Sequence, residues 1–147
     1  MDTSTRYLRP GKGDLLLARV VAALTRRGMS LWGSRILSVR GRNTGEWRST
    51  PVNLLDFDGE QYLVSARGHT QWVRNLRVAG TGRLQVGRRI EAFGATEVAD
   101  DEKVAILRAY LKRWQFEVGR FFDGVGPKSG DDELRRIAPG HPVFRVS

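Results

Sequence analysis

The chain of 147 residues contains no cysteine. That absence removes disulfides, thiolate nucleophiles, iron–sulfur clusters and sulfur-based zinc sites. It fits a reducing cytoplasm, the expected location. Histidine is nearly absent: His69 and His141 lie far apart with no carboxylate at ligand spacing, so no metal site is expected. Long hydrophobic runs are missing as well. The longest, "LLLARVVAAL" from Leu15 to Leu24, is broken by Arg19 and is too short to span a bilayer. It begins too far in and lacks a convincing cleavage site, so a signal peptide is not expected either. There is no Gly-x-Ser-x-Gly elbow and no Ser–His–Asp set.

Acidic residues are in the minority. Lys plus Arg outnumber Asp plus Glu by 25 to 16, a net charge of +9. Nearly all the cations are arginine, whose planar fork suits phosphate and carboxylate. The partner is therefore something anionic: nucleic acid, an acidic lipid surface or a charged cofactor. Nucleic acid is disfavoured, because aromatics are not interleaved with the cations on a strand surface. The length suits one domain with one core. A polar arm over 1–12 and a single domain over 13–147 are expected.

Asp14 can cap a helix over 14–27, with Leu17, Val20, Val21 and Leu24 on one face and Arg19, Arg26 and Arg27 on another. Such a helix either lies on an anionic membrane or packs on its own domain. From Ser34 the pattern turns to strands: "RILSVR", "STPVNLLDF", a tight Asp58–Gly59 turn and "EQYLVSA". A helix, "TQWVRNLRVAG", has Thr70 as its cap and Gly80 as its stop. "RLQV", a Gly87–Arg88 turn and "RIEAFGATEVA" make a second hairpin. Asp100 is read as the cap of a helix through Trp114, with the Asp100–Glu102 cluster favoured by the helix dipole. A glycine-rich loop, a short helix around Leu134 and a final strand, "HPVFRV", complete the chain. Helices between hairpins predict an α+β fold, mainly β, with helices packed on an antiparallel barrel. Trp114, Phe116, Phe121 and Phe122 read as core, or in part as the wall of an apolar substrate site.

"DGVGPKSG", Asp123 to Gly130, lacks the adjacent Gly-Lys of a phosphate loop and is followed by two aspartates, so it reads as a plain loop. The stretch "GRNTGEWRSTP", Gly41 to Pro51, is different. Gly41 and Gly45 let a backbone approach a ligand closely, Arg42 and Arg48 bracket the loop, and Thr44, Ser49 and Thr50 add hydroxyls. Downstream, Arg67 and Gly68 precede a helix start, itself an anion attractor, and Trp72 and Asn75 share a helical face. Two readings stand on the residues alone: an anion grip, or a hairpin with solvated arginines and a core tryptophan.

"GRNTGEWRSTPVNLLDFDGEQYLVSARG" followed by "WVRNLR" resembles the deazaflavin-dependent nitroreductase and quinone reductase family, over about Leu37 to Val98. Gly41, Arg42, Thr44, Gly45, Arg48, Pro51, Asp58, Gly59, Trp72, Asn75 and Leu76 match its pattern. The family lysine is Asn43 here, and the segment between Ala66 and Trp72 is shorter than usual; Arg67, Arg74 or Arg77 are candidates to restore the charge. The resemblance implies a split β-barrel like that of FMN-binding proteins, often dimeric. It implies an enzyme that passes a hydride from reduced coenzyme F420 to a small apolar quinone, enone or nitro-type electrophile. By that likeness the cofactor-binding set is Arg42, Asn43, Thr44, Gly45, Arg48, Ser49, Thr50, Pro51, Ser65, Ala66, Arg67, Gly68, Trp72 and Asn75. His69 and Tyr110 are candidate proton donors. FMN is the alternative cofactor, and a non-catalytic F420, FMN or lipid carrier is the alternative function.

Overall fold

The computed structural model describes residues 34–147. The expected arm over 1–12 and the amphipathic helix over 14–27 lie outside the described residues. Six strands form a closed antiparallel barrel in the order β1-β2-β3-β6-β5-β4. They are β1 (Ser34–Arg40), β2 (Trp47–Phe57), β3 (Glu60–Val64), β4 (Thr81–Val86), β5 (Arg89–Glu97) and β6 (Val143–Val146). Among the described residues, three α-helices accompany them: α1 (Gln71–Ala79), α2 (Val104–Val118) and α3 (Asp131–Ile137). The architecture is an α+β split barrel.

Alternation along the strands sets what faces inward. Leu37 and Val39 of β1 point into the barrel, where they meet Leu54, Leu63, Leu84, Phe93 and Phe144. Register sets them in rows across the barrel: Leu37 lies opposite Leu84, and Leu63 lies opposite both Leu54 and Phe144. Val73 and Leu76 of α1 join that cluster and close one end of the barrel. Leu55, next in sequence to Leu54, points outward into a second cluster with Leu107, Leu111, Trp114, Phe122 and Leu134. Both faces of β2 are therefore covered, which explains consecutive leucines where strict alternation would put a polar residue.

The turn joining β2 to β3 has positive φ at both central positions, 52° at Asp58 and 77° at Gly59. That is the twist a two-residue hairpin needs, and Asp-Gly supplies it with little strain. Gly80 ends α1 in the left-handed conformation, its N–H bonded to the Leu76 carbonyl.

Three expectations are corrected. Asp100 does not cap α2: residues Asp100–Glu102 form a separate 3-10 turn, and α2 begins at Val104. Asp100 instead pairs at 2.7 Å with the buried Lys103, whose Nζ also donates to the Ala138 carbonyl. The helix also runs past Trp114 to Val118, with a kink at Trp114. Phe116 is not core but 72% exposed: two residues along a helix is about 200° of rotation, so it faces away from the packed side that holds Trp114.

Trp114→Ala should destabilise the protein by about 3–5 kcal/mol, the usual cost of emptying a buried aromatic site. Phe116→Ala should change stability by less than about 0.5 kcal/mol. Urea unfolding of the two variants tests this, and equal losses would show that the second cluster is wrongly drawn.

Candidate functional site

The end of the barrel closed by α1 also carries the β1–β2 loop. Gly41 donates to the Glu46 carbonyl and Gly45 to the Gly41 carbonyl, closing the loop on itself. Gly45 needs its positive φ of 74°. Gly41 is needed for closeness: a Cβ there would stand 3.1 Å from Thr44 Oγ1 and 3.8 Å from Arg48 Nε. The Arg48 side chain thus lies along the loop. It is exposed, and it has no hydrogen-bond or ion-pair partner among the described residues.

Arg42 is held differently. Its backbone N–H donates to Asn75 Oδ1 at 3.0 Å, its Nη1 donates to the same oxygen at 2.8 Å and to Gln71 Oε1 at 2.9 Å. Asn75 is 5% exposed, so its amide needs these bonds. The contact fastens the loop to α1. Gln71 had no place in the sequence reading, and only its position one turn before Asn75 hints at the role.

The run Arg48–Pro51 divides between two faces of β2. Arg48 and Thr50 lie opposite Val39 and Leu37 and share the inward side, whereas Ser49 bonds Ser38 on the outer side at 2.8 Å. Pro51, opposite Ile36, is also on the outer side. Trp47 stacks between two guanidiniums there, Arg40 at 4.4 Å and Arg83 at 4.1 Å. The sequence reading missed this group; Arg83 comes from β4, and only register brings it near.

The connection from β3 to α1 is tightly tied down. Ser65 Oγ donates to the Gly68 carbonyl, and the Ser65 carbonyl accepts from Nδ1 of His141, which stacks on Phe122. Arg67, after Ala66, lies over the Phe121 ring at 4.4 Å, directed toward the end of α2. Arg77 forms a two-bond pair with Glu97, at 2.7 Å for each contact. The Glu97 hydrogen bond raises the Arg77 pKa, opposed by partial burial. Neither arginine therefore lies free beside Asn43 to replace the missing lysine. Arg74, on α1, gives its Nε to the His69 carbonyl.

The two candidate proton donors make other contacts. His69 Nε2 meets the Pro139 carbonyl at 2.9 Å, which requires it to donate, leaving Nδ1 to accept from Arg77 at 3.2 Å. Both ring nitrogens are thereby engaged in joining α1 to the 139–140 turn. Tyr110 is buried in the helical cluster, its ring 5.0 Å from Trp114. Burial first, then the Glu117 charge, raises its pKa well beyond the phenolic range, against a lowering hydrogen bond from Asn53. It is not brought to the loop end. No group of three metal-ligating side chains occurs among the described residues, and none of their helices is long and apolar enough to cross a membrane.

Solved structures share this fold. An F420-H2 dependent reductase (FDR-A) superposes with a TM-score of 0.54 at 16% identity, over 78% of this chain and 94% of that one. A structure described as a domain-swapped dimer gives 0.58 at 14% identity, covering 93% and 100%. General Stress Protein 26 from Bacillus anthracis str. Sterne gives 0.53 at 12% identity, covering 89% and 88%. No curated protein matches. The family model for F420H(2)-dependent quinone reductase matches residues 18–118, and the chain belongs to that family. It is an F420-dependent reductase.

The loop end suits a polyanionic cofactor of this kind. Thr70 Oγ1, at the start of α1, is buried without a hydrogen-bond partner among the described residues. No side chain caps α1, and its first turn carries no acid. A hydroxyl donor, uncapped N–H groups and the exposed Arg48 all call for an anionic acceptor.

Asn75→Ala should free the loop from α1, seen as faster amide exchange at Arg42 and Gly45. Asn75→Asp keeps the accepting oxygen and should retain protection. Equal exchange in both variants would mean that the loop is held by its own backbone bonds.

Proposed function

We propose that this reductase binds F420 at the loop end and reduces a small, largely apolar quinone, enone or nitro-type electrophile. The observation that carries the reading is Arg48: an exposed guanidinium laid along a glycine loop, with no acid paired to it among the described residues. Asn43, Thr44 and Gly45 would offer backbone and side-chain donors beside it. Arg42, fixed by Asn75, would add charge without having to be ordered on binding, which lowers the entropic cost. Ser49 and Pro51 belong to the outer side of β2, where we assign them a structural part, with Thr50 shaping the inner edge.

Bound F420H2 supplies a hydride from its deazaflavin ring. The chain's part is to bind, orient and exclude water. Trp72, half-buried with its ring 6.0 Å from Phe144, gives the loop end a rigid apolar wall. The Ser65–Gly68 connection, tied to β6 by the Ser65 N–H to Pro142 bond, fixes the backbone next to it. Such rigidity is what positions reacting atoms. We further assign the chain a homodimeric state, consistent with the dimer described for one structural neighbour.

Arg48→Ala should weaken F420 binding about tenfold or more, the size of a lost charge-assisted contact. Arg136→Ala, on an exposed position of α3, should leave affinity unchanged. Fluorescence titration of F420 decides this, and equal affinities would remove the loop from the anion site.

F420H2 deuterated at its transferring carbon should pass the label to a quinone or enone product, with Trp72→Ala lowering the rate. Binding of F420 without oxidation of any quinone, enone or nitro compound would overturn the substrate assignment.

A further inference from the structure

Trp47 begins β2 on the outer side of the barrel, directly after the glycine loop. It stays 37% exposed while two guanidiniums rest against it, Arg40 at 4.4 Å and Arg83 at 4.1 Å. The three residues come from three neighbouring strands. Arg40 lies opposite Trp47, and Arg83 of β4 lies opposite Ser38, two residues back along β1. A stacked guanidinium uses its flat face for the aromatic ring and keeps its N–H fork, which lies in its own plane, for an acceptor. Arg40 Nη1 donates to the Gly45 carbonyl at 3.0 Å, which ties that side chain to the loop. Arg83 is exposed and has no hydrogen-bond or ion-pair partner among the described residues. Its whole fork is open.

No acid among the described residues neutralises the pair. Ala92 stands opposite Arg83, and the row beside Trp47 and Arg40 is Ser49 and Ser38. Those hydroxyls bond each other at 2.8 Å, so whichever one donates, the other keeps its own hydrogen for an outside acceptor. Glu46, next to Trp47 in the chain, forms no ion pair with either arginine. Two cations held on one aromatic beside a hydroxyl donor suit carboxylate or phosphate oxygens. The stack has already ordered both side chains, so binding costs less rotamer entropy than at a free surface arginine. Arg48, the residue after Trp47, faces the inner side of the same strand. The two positions are therefore one residue apart, a rise of about 3.3 Å along the strand.

We propose that Arg83 and Arg40, stacked on Trp47, form a second anion subsite that takes carboxylates of the cofactor's oligoglutamate tail. F420 carries this tail beyond its phosphate. A phosphate at Arg48 leaves the tail to cross the start of β2 onto the outer side, where the stack stands. This rests on the placement of F420 at the loop end. It adds Arg83, which belongs to neither the glycine loop nor α1.

The full chain is titrated by cofactor fluorescence with two ligands: F420 bearing several glutamates, and the form that ends at the phospholactyl group. The parent should bind the long-tailed form about three- to tenfold more tightly, the size of one or two exposed charge contacts. Added salt should shrink that difference. Arg83→Gln should remove most of it and leave the tailless form within about twofold of the parent. Trp47→Leu, which keeps both arginines but takes away the surface they rest on, should reduce it as well. Arg48→Ala should weaken both forms alike. Equal affinity of the parent for the two forms overturns the proposal, as does an Arg83→Gln variant that keeps the full tail preference. Equal weakening of both forms by Arg83→Gln also overturns it, since Arg83 would then act on the phosphate or on the fold. A parent that binds neither form overturns the loop-end reading together with this one, so the tailless cofactor tells the two failures apart.

Discussion

The loop end depends on one buried oxygen. Asn75 Oδ1 accepts from both the backbone and the guanidinium of Arg42, and these bonds join an irregular loop to a helix that is itself part of the barrel core. A buried amide left without partners would cost several times what a surface hydrogen bond contributes, so the loop is fixed where the amide is satisfied. Through Val73 and Leu76 the same helix seals the barrel. Loop position, helix position and core packing are consequently set together, and the placement of Arg48 follows from them.

That coupling separates two uses of arginine that composition cannot tell apart. Arg77 is a structural cation neutralised by Glu97, whereas Arg42 is positioned by the neutral amides of Asn75 and Gln71, which leave its charge in place. Arg40 and Arg83 cover the faces of Trp47. Arg48 makes no such contact among the described residues, and it is exposed. A net charge of +9 thus overstates how much positive potential is directed at any single ligand, since partnered guanidiniums are locally neutralised or committed by geometry.

Much of the fold was legible because local signals agreed with one another. The Asp58–Gly59 turn, the Gly80 stop and the hairpin order needed no tertiary information. Helix α2 was misread at its start because Asp100 looks like a cap from sequence, while the buried Lys103 three residues later claims its carboxylate. Phe116 was misplaced because it was grouped with its aromatic neighbours as core, although two residues from Trp114 lies on the opposite side of the helix. Within the loop end, the Arg42–Asn75 association was visible as two halves of one pattern, but the contact itself spans 33 residues and needs the barrel. The separation of Ser49 and Pro51 from Arg48 was available in principle, because neighbouring strand residues point to opposite sides. A run of polar residues conceals that alternation.

The two ends of the barrel meet the same difficulty in opposite ways. A six-stranded barrel has too little interior to bury a full-length column of side chains on every strand, so each end must be closed or wetted. At the loop end a helix supplies the missing apolar surface, and the polar groups are pushed outward around it. At the other end no helix among the described residues contributes to the inner cluster, and polar side chains alternate with apolar ones along the strands: Arg35 lies opposite Val52, and Glu91 opposite Leu84.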